Sequence, residues 1–287
     1  MSKIKNNAES TGKLFKGRPI VYIILILLAV LSILPFWIML VNATRSTPEI
    51  QQRALSLLPS KSLLDNFQIL TRGSFDALVG FKNSMILASS VTVLAIYFSS
   101  LTAYGLVAYD WKFKNAFFTF IMCILMIPGA VGVIGFYQMV WQLGWNNNFL
   151  PLILPAMASP SLVFFMRQYL LATLSLEMIE AARIDGSGEF ATFNRIVLPV
   201  MKPAIATQAI FVFVGSWNNL FLPLILLTKK ELFTMPIMVS VLNGDIYNVE
   251  LGVIYLGVAM TVLPLFVVYF ALSKYIIAGV ALGGVKE

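Results

Sequence analysis

Apolar residues in this 287-residue chain run in long unbroken blocks, and the charged residues crowd into the pieces between them. A helix needs about 20 apolar residues to cross the hydrocarbon core of a bilayer. Six blocks approach or exceed that length, at approximately Ile20–Val41, Ser84–Ala108, Ala116–Val140, Phe149–Met166, Ala204–Leu227 and Gly252–Leu272. None of them contains Asp, Glu, Lys or Arg. The fourth is the shortest and carries Pro151, Pro155 and Pro160; Pro128-Gly129 predicts a kink or interruption in the third. The pattern predicts an all-α polytopic membrane protein with six transmembrane helices.

The basic residues orient it. Lys3, Lys5, Lys13, Lys16 and Arg18 precede the first block against Glu9 alone, and Lys112 and Lys114 follow the second. Short basic loops stay in the cytoplasm, so both termini are expected there. Residues 1–19 then form a cytoplasmic tail, 20–287 a single transmembrane domain and 274–287 a second tail. Residues 42–82 form an outside loop, which the rule weighs lightly because of its length, although it carries five basic residues. The first block is too long for a signal peptide and no small-residue cleavage site follows it, so it reads as a retained anchor.

Composition narrows the classes. Charged residues make up 11% of the chain where soluble domains carry about 25%, and mean hydropathy is +0.86. The net charge of +7 is explained by bases flanking spans, so nucleic acid is not an expected partner. With no histidine and one cysteine, Cys123, there is no metal-site or disulfide pattern, and Cys123 reads as a small buried hydrophobe. The spans contain no ionisable acid or base, which disfavours a proton-coupled carrier or an intramembrane hydrolase. There is no GxxxxGK[ST] loop, so ATP would be bound by a separate chain.

The stretch EAARIDGSGEFATFNRIVLP, from Glu180 to Pro199, contains three acids and two arginines between two apolar blocks. Its periodicity predicts two short helices. Ser175 caps the first, with Met178, Ala181, Ala182 and Ile184 as its apolar face. Asp185-Gly186 breaks it, Ser187 and Glu189 open the second, and Leu198-Pro199 stops that one. By periodicity alone this is an amphipathic hairpin resting on the membrane surface, or a polar element that another protein reads.

The residue pattern is more specific. Glu180-Ala181-Ala182, three residues, Gly186, nine residues, Ile196, one residue and Leu198-Pro199 resemble the EAA loop of permease subunits of bacterial ABC importers. Asp185 ahead of the glycine fits as well. Arg167-Gln168, Trp217 through Pro223, Leu34-Pro35-Phe36 and the Gly283-Gly284-Val285-Lys286 tail resemble the MalG type of carbohydrate permease. The resemblance implies that residues 167–203 form a cytoplasmic helical coupling loop between the fourth and fifth spans. Glu180 would pair with a basic residue of an ATPase subunit, Ala181 and Ala182 would permit close packing, and Gly186 would make the turn.

It also implies an assembly in the bacterial cytoplasmic membrane. The expected partners are a second homologous permease, two ATPase subunits that bind ATP and Mg, and an extracytoplasmic sugar-binding protein. The chain itself would hold no cofactor and catalyse nothing. A sugar pathway wants aromatic faces and neutral amides, so Trp217, Asn218 and Asn219 are the first candidates, with Gln208, Tyr137, Gln138 and Tyr255 behind them. Those amides equally suit backbone groups freed by Pro223. Rival readings are a permease half for another solute, such as glycerol phosphate, or a membrane-embedded structural or enzyme subunit with a surface hairpin.

Overall fold

A computed structural model describes residues 2–72, 75–244 and 249–284, with side chains described for 19–72, 75–244 and 249–270. All regular structure among these residues is helical. In chain order the helices are α1 (Ser2–Ala43), α2 (Thr47–Gln52), α3 (Leu63–Arg72), α4 (Ala77–Ala108), α5 (Lys114–Leu125) and α6 (Val133–Gln142). There follow α7 (Leu150–Ile153), α8 (Pro160–Thr173), α9 (Leu176–Ile184), α10 (Glu189–Thr192), α11 (Leu198–Val200) and α12 (Lys202–Trp217). The last three are α13 (Phe221–Leu226), α14 (Met235–Asn243) and α15 (Leu251–Gly284). The tail residues Val285 and Lys286 lie outside the described residues.

The chain divides into two compact units, Met1–Gly73 with Asp245–Ala259 and Ser74–Gly244 with Met260–Glu287. In the first, α1 exposes apolar side chains all round from Ile20 to Leu31. A helix with no polar face belongs in a membrane span or against other protein. Beyond its end the backbone is held by buried polar groups. The Arg45 guanidinium donates to Asn42 Oδ1 at 2.9 Å, Arg53 O at 2.7 Å and Glu49 O at 2.6 Å. Asn66 Nδ2 donates to the carbonyls of Ala43 at 2.9 Å and Arg45 at 3.0 Å. The start of α15 comes so close that a Cβ on Gly252 would lie 2.1 Å from the Arg45 carbonyl oxygen, so only glycine fits there.

In the second unit α4 is the central helix, packed chiefly against α8 and α12. Asp76 caps it, accepting from the Leu78 and Val79 N–H groups at 3.0 and 3.1 Å. The helix therefore starts seven residues before the predicted block. Ser99, Ser100 and Ala103 are fully buried in it, and the small side chains allow that close packing. One core joins Ala95, Ile96 and Tyr104 of α4 to Leu162, Met166 and Leu170 of α8, Met201 and Ala204.

Among the described residues four helical stretches are long and apolar enough to cross a membrane: Pro19–Ala43, Ala77–Ala108, Leu150–Thr173 and Leu251–Phe270. Two bent pairs raise the number to as many as six. The predicted third span is not one straight helix. Lys114–Leu125 and Gly129–Gln142 meet at 87°, with Pro128 at the break. The fourth runs on past Met166 to Thr173. The predicted fifth, Ala204–Leu227, is split at Asn218–Leu220 between α12 and α13. Cys123 is exposed rather than buried, because α5 buries only Ile121 among its residues.

Candidate functional site

The Glu180–Pro199 stretch folds as two short helices around a turn. Ser175 occupies the position before α9, but its side chain makes no capping bond. At the other end Gly186 N–H donates to Arg183 O at 3.0 Å and Ser187 N–H to Ala182 O at 2.9 Å. This paired closure needs a left-handed residue after Asp185, and Gly186 supplies it at φ +78°. Asp185 itself is exposed.

The second helix departs from expectation. Phe193–Val197 form a π-turn, with Leu198 N–H donating back to Phe193 O. Leu198-Pro199 therefore does not stop the segment. The wider turn changes the hydrogen-bond register ahead of Pro199, and helix continues to Val200 before an 80° bend into α12.

Which face is buried also differs. Ile179 faces the core of the second unit, with Phe193 and Val197 beside it, and Ala182 is buried as well. The Phe193 ring stacks on Tyr104 at 5.7 Å and meets Tyr97 edge-on at 5.6 Å. Ile196 and Leu198 are half-buried. Glu180, Ala181 and Met178 point outward, with Ile184 87% exposed and Phe190 67% exposed. Of the four residues predicted as one apolar face, only Ala182 is buried.

A polar knot ties the turn to the end of α4. Arg183 Nε meets Glu189 Oε1 at 2.9 Å, and the guanidinium lies 5.2 Å from the centre of the Tyr109 ring. The other Glu189 oxygen accepts from the Tyr109 hydroxyl and from Tyr104 Oη, the latter at 3.3 Å. The Tyr109 bond first, and Arg183 after it, hold the Glu189 carboxyl below its ordinary range. Sequence reading missed Arg183, Tyr104 and Tyr109 and gave Glu189 only a helix-opening role. The tyrosines stand 80 and 85 positions from Glu189, so no local spacing could pair them.

A second feature is a cavity of about 320 Å³ where interrupted helices converge. Gly129 and Gly132 line it from the break between α5 and α6, Pro151 and Pro155 from the start of the fourth block, Ser216 from the last turn of α12 and Asn219 from the break after it. Irregular backbone at membrane depth is tolerated where it lines a cavity or is covered by protein. Only Ser216 and Asn219 among the lining side chains are polar.

The other pathway candidates lie elsewhere. Trp217 is 1% exposed and packs between Phe81 and Phe213, its Nε1 donating to the Thr261 carbonyl at 3.1 Å. That is a packing position behind the cavity wall. Asn218 is exposed as the residue ending α12, and Gln208 is half-buried along that helix. Tyr137 lines a separate shallow recess beside Phe221, and Gln138 is exposed. Tyr255 belongs to the first unit. Among the described residues no cluster of His, Cys, Asp and Glu could hold a metal.

Among the described residues, apolar helices long enough to span a bilayer, a cavity at helix breaks and a polar loop seated on the core mark an integral membrane subunit. Residues 95–281 match the family described as the binding-protein-dependent transport system inner membrane component, and the chain belongs to it. Among curated relatives, the arabinooligosaccharides transport system permease protein AraQ of Halalkalibacterium halodurans is 35% identical over 264 residues, covering 90% of this chain and 93% of that one. The lactose transport system permease protein LacG of Rhizobium radiobacter is 32% identical over 265 residues, covering 92% and 95%. A solved bacterial ABC transporter involved in import of the acidic polysaccharide alginate superposes with a TM-score of 0.78 at 20% identity. It covers 91% of this chain and 98% of its own. The fold is thus that of an importer permease, and the chain is an inner-membrane permease subunit, not an enzyme.

Proposed function

We propose that this subunit forms one transmembrane half of an ATP-driven importer for a neutral sugar or oligosaccharide delivered by an external binding protein. The observation that carries the coupling reading is the two-sided loop. Ile179, Phe193 and Val197 seat it on the core, while Glu180, Ala181, Ile184 and Phe190 face outward. A hairpin lying on lipid would turn its phenylalanines and isoleucines to one side. Here those side chains are divided between the core and a surface that also carries Glu180, as suits an element held from behind and read from in front.

In this reading both termini are cytoplasmic and six spans cross the membrane, two of them broken. Residues 167–203 form the coupling loop. Glu180 and Ala181 meet an ATPase subunit, Ala182 locks the helix to the core, and Asp185 and Gly186 set the turn. Ile196, Leu198 and Pro199 carry the segment into α12. ATP and Mg are bound by two ATPase subunits, and a second homologous permease completes the pathway. ATP-driven closure of the ATPases moves the loops and opens the cavity outward.

The cavity supports a neutral substrate. Its polar groups are one hydroxyl and one amide, whereas glycerol phosphate would call for an arginine or lysine. Asn219 is the residue expected to meet substrate, with Trp217 shaping the wall behind it. The test is to tag the chain, purify it in mild detergent from its own cells and identify what accompanies it. A stoichiometric ATPase and a second permease are expected. A lone chain or homo-oligomer, even with ATP hydrolysis blocked, would overturn the reading.

A further inference from the structure

Two walls of the cavity are helices with too few internal hydrogen bonds to stand alone. α7 has four residues and α13 has six, whereas isolated helices shorter than about 12–15 residues are marginal in water. Even so, Pro151 and Leu152 of α7 and Leu222 and Pro223 of α13 line one cavity. α7 packs against α4. α13 is tied to the chain just ahead of α7 by Asn147.

Asn147 stands in the loop between α6 and α7, its backbone left-handed at φ +55°, a conformation that asparagine adopts more readily than most residues. Its N–H donates at 2.9 Å to the carbonyl of Leu226, the last residue of α13. One of the carbonyls that a helix end leaves open is thereby taken. Its side-chain Oδ1 accepts from the N–H groups of Thr228 at 2.7 Å and Lys229 at 3.0 Å. The Thr228 hydroxyl lies 3.0 Å from Nδ2 and 3.1 Å from Oδ1. Asn148 turns the other way, its Oδ1 accepting at 2.9 Å from the N–H of Leu150, the first residue of α7. One asparagine grips the end of α13 and the next caps the start of α7. The gripped N–H groups stand 81 and 82 positions from Asn147, so this is a long-range tie and not a local turn.

We propose that Asn147 is a positioning residue for transport. It ties α13 to the loop between α6 and α7 and so sets the spacing of the cavity walls, including Asn219 on the segment that leads into α13. Its service to transport rests on the cavity being the substrate path; the tie itself does not.

Two variants test it. Asn147→Gly keeps the left-handed backbone and deletes the amide, and Asn147→Asp restores an oxygen where Oδ1 stands. Hydrogen exchange on this chain, in the assembly that co-purifies with it, reads the Thr228 and Lys229 N–H groups directly. Their exchange is expected to quicken about fivefold in Asn147→Gly, the change that losing one net hydrogen bond makes in an opening equilibrium. It should return to the parent rate in Asn147→Asp. A second reporter sits in the cavity: Ser216→Cys in a Cys123→Ser background, modified by N-ethylmaleimide and read from the mass of this chain. Its modification rate is expected to change severalfold in Asn147→Gly and to be restored by Asn147→Asp. A loop contact with no hold on the cavity would leave that rate unmoved. Equal exchange in all three chains would show no tie and overturn the inference. Faster exchange with an unchanged modification rate would overturn the hold on the cavity walls. Neither measurement uses a sugar, so a failure of the substrate-path reading shows itself separately, in the transport kinetics of Asn219→Ala.

Discussion

Arg183 and Glu189 meet at 2.9 Å across the Gly186 turn, and the same carboxylate takes the hydroxyls of Tyr104 and Tyr109 at the end of α4. The turn that faces outward is therefore fastened to the central helix of its unit. Force applied at Glu180 has a short path to α4, and through its packing to α8 and α12.

Glu189→Gln keeps the shape and removes the charge. The two side chains are 39% and 49% exposed, so water screens the pair and it contributes little to stability. Thermal unfolding of the purified assembly should shift little. Sugar uptake per ATP hydrolysed should fall, because the fastening slackens without the fold failing.

The same knot has a pH dependence with a definite sign. The Glu189 carboxyl is held below its ordinary value of 4.5, so its stabilising effect is complete above that pH. It is lost as pH falls through the depressed folded value. Cleavage of the 183–189 turn by an acid-active protease should accelerate over that window. Glu189→Gln should cut at a rate that does not change across it.

Phe193→Ala removes a ring buried at 0% exposure between Tyr97 and Tyr104. A loss of about 3–5 kcal/mol is expected, read as poor accumulation and a lowered unfolding temperature. Phe190→Ala, three residues away and exposed, should leave stability unchanged and weaken ATPase association instead.

Trp217→Phe and Asn219→Ala separate wall from pathway. The first loses an indole donor and volume in a buried site, costing about 1–3 kcal/mol with substrate KM little changed. The second faces the cavity and should raise KM with stability unaffected. Transport kinetics and unfolding on the same preparations decide between the two roles.

Four long apolar helices were legible because a bilayer demands an uninterrupted apolar run, and Gly186 was legible because the motif and its Asp-Gly turn signal meet there. The buried face of α9 was not. Apolar residues occupy much of its circumference, so spacing could not choose Ile179 over Met178 and Ile184. The run through Leu198-Pro199 was hidden by the π-turn, whose signal is in backbone register and not in residue type. Trp217 looked like a sugar platform because its partner, the Thr261 carbonyl, lies 44 positions away. The kink at Pro128-Gly129 was foreseen, since proline removes a donor wherever it sits. Its size, 87°, depends on packing that sequence does not display.

Charge reversal at Glu180 tests the coupling role most directly. Glu180 is exposed on α9, away from the buried Ile179 and Ala182, so Glu180→Arg should leave the subunit folded and in the membrane. Stimulation of ATP hydrolysis by the loaded binding protein, measured in vesicles, should then be abolished together with uptake. Full stimulation and uptake in the Glu180→Arg variant would contradict the claim that this loop is the face the ATPase reads.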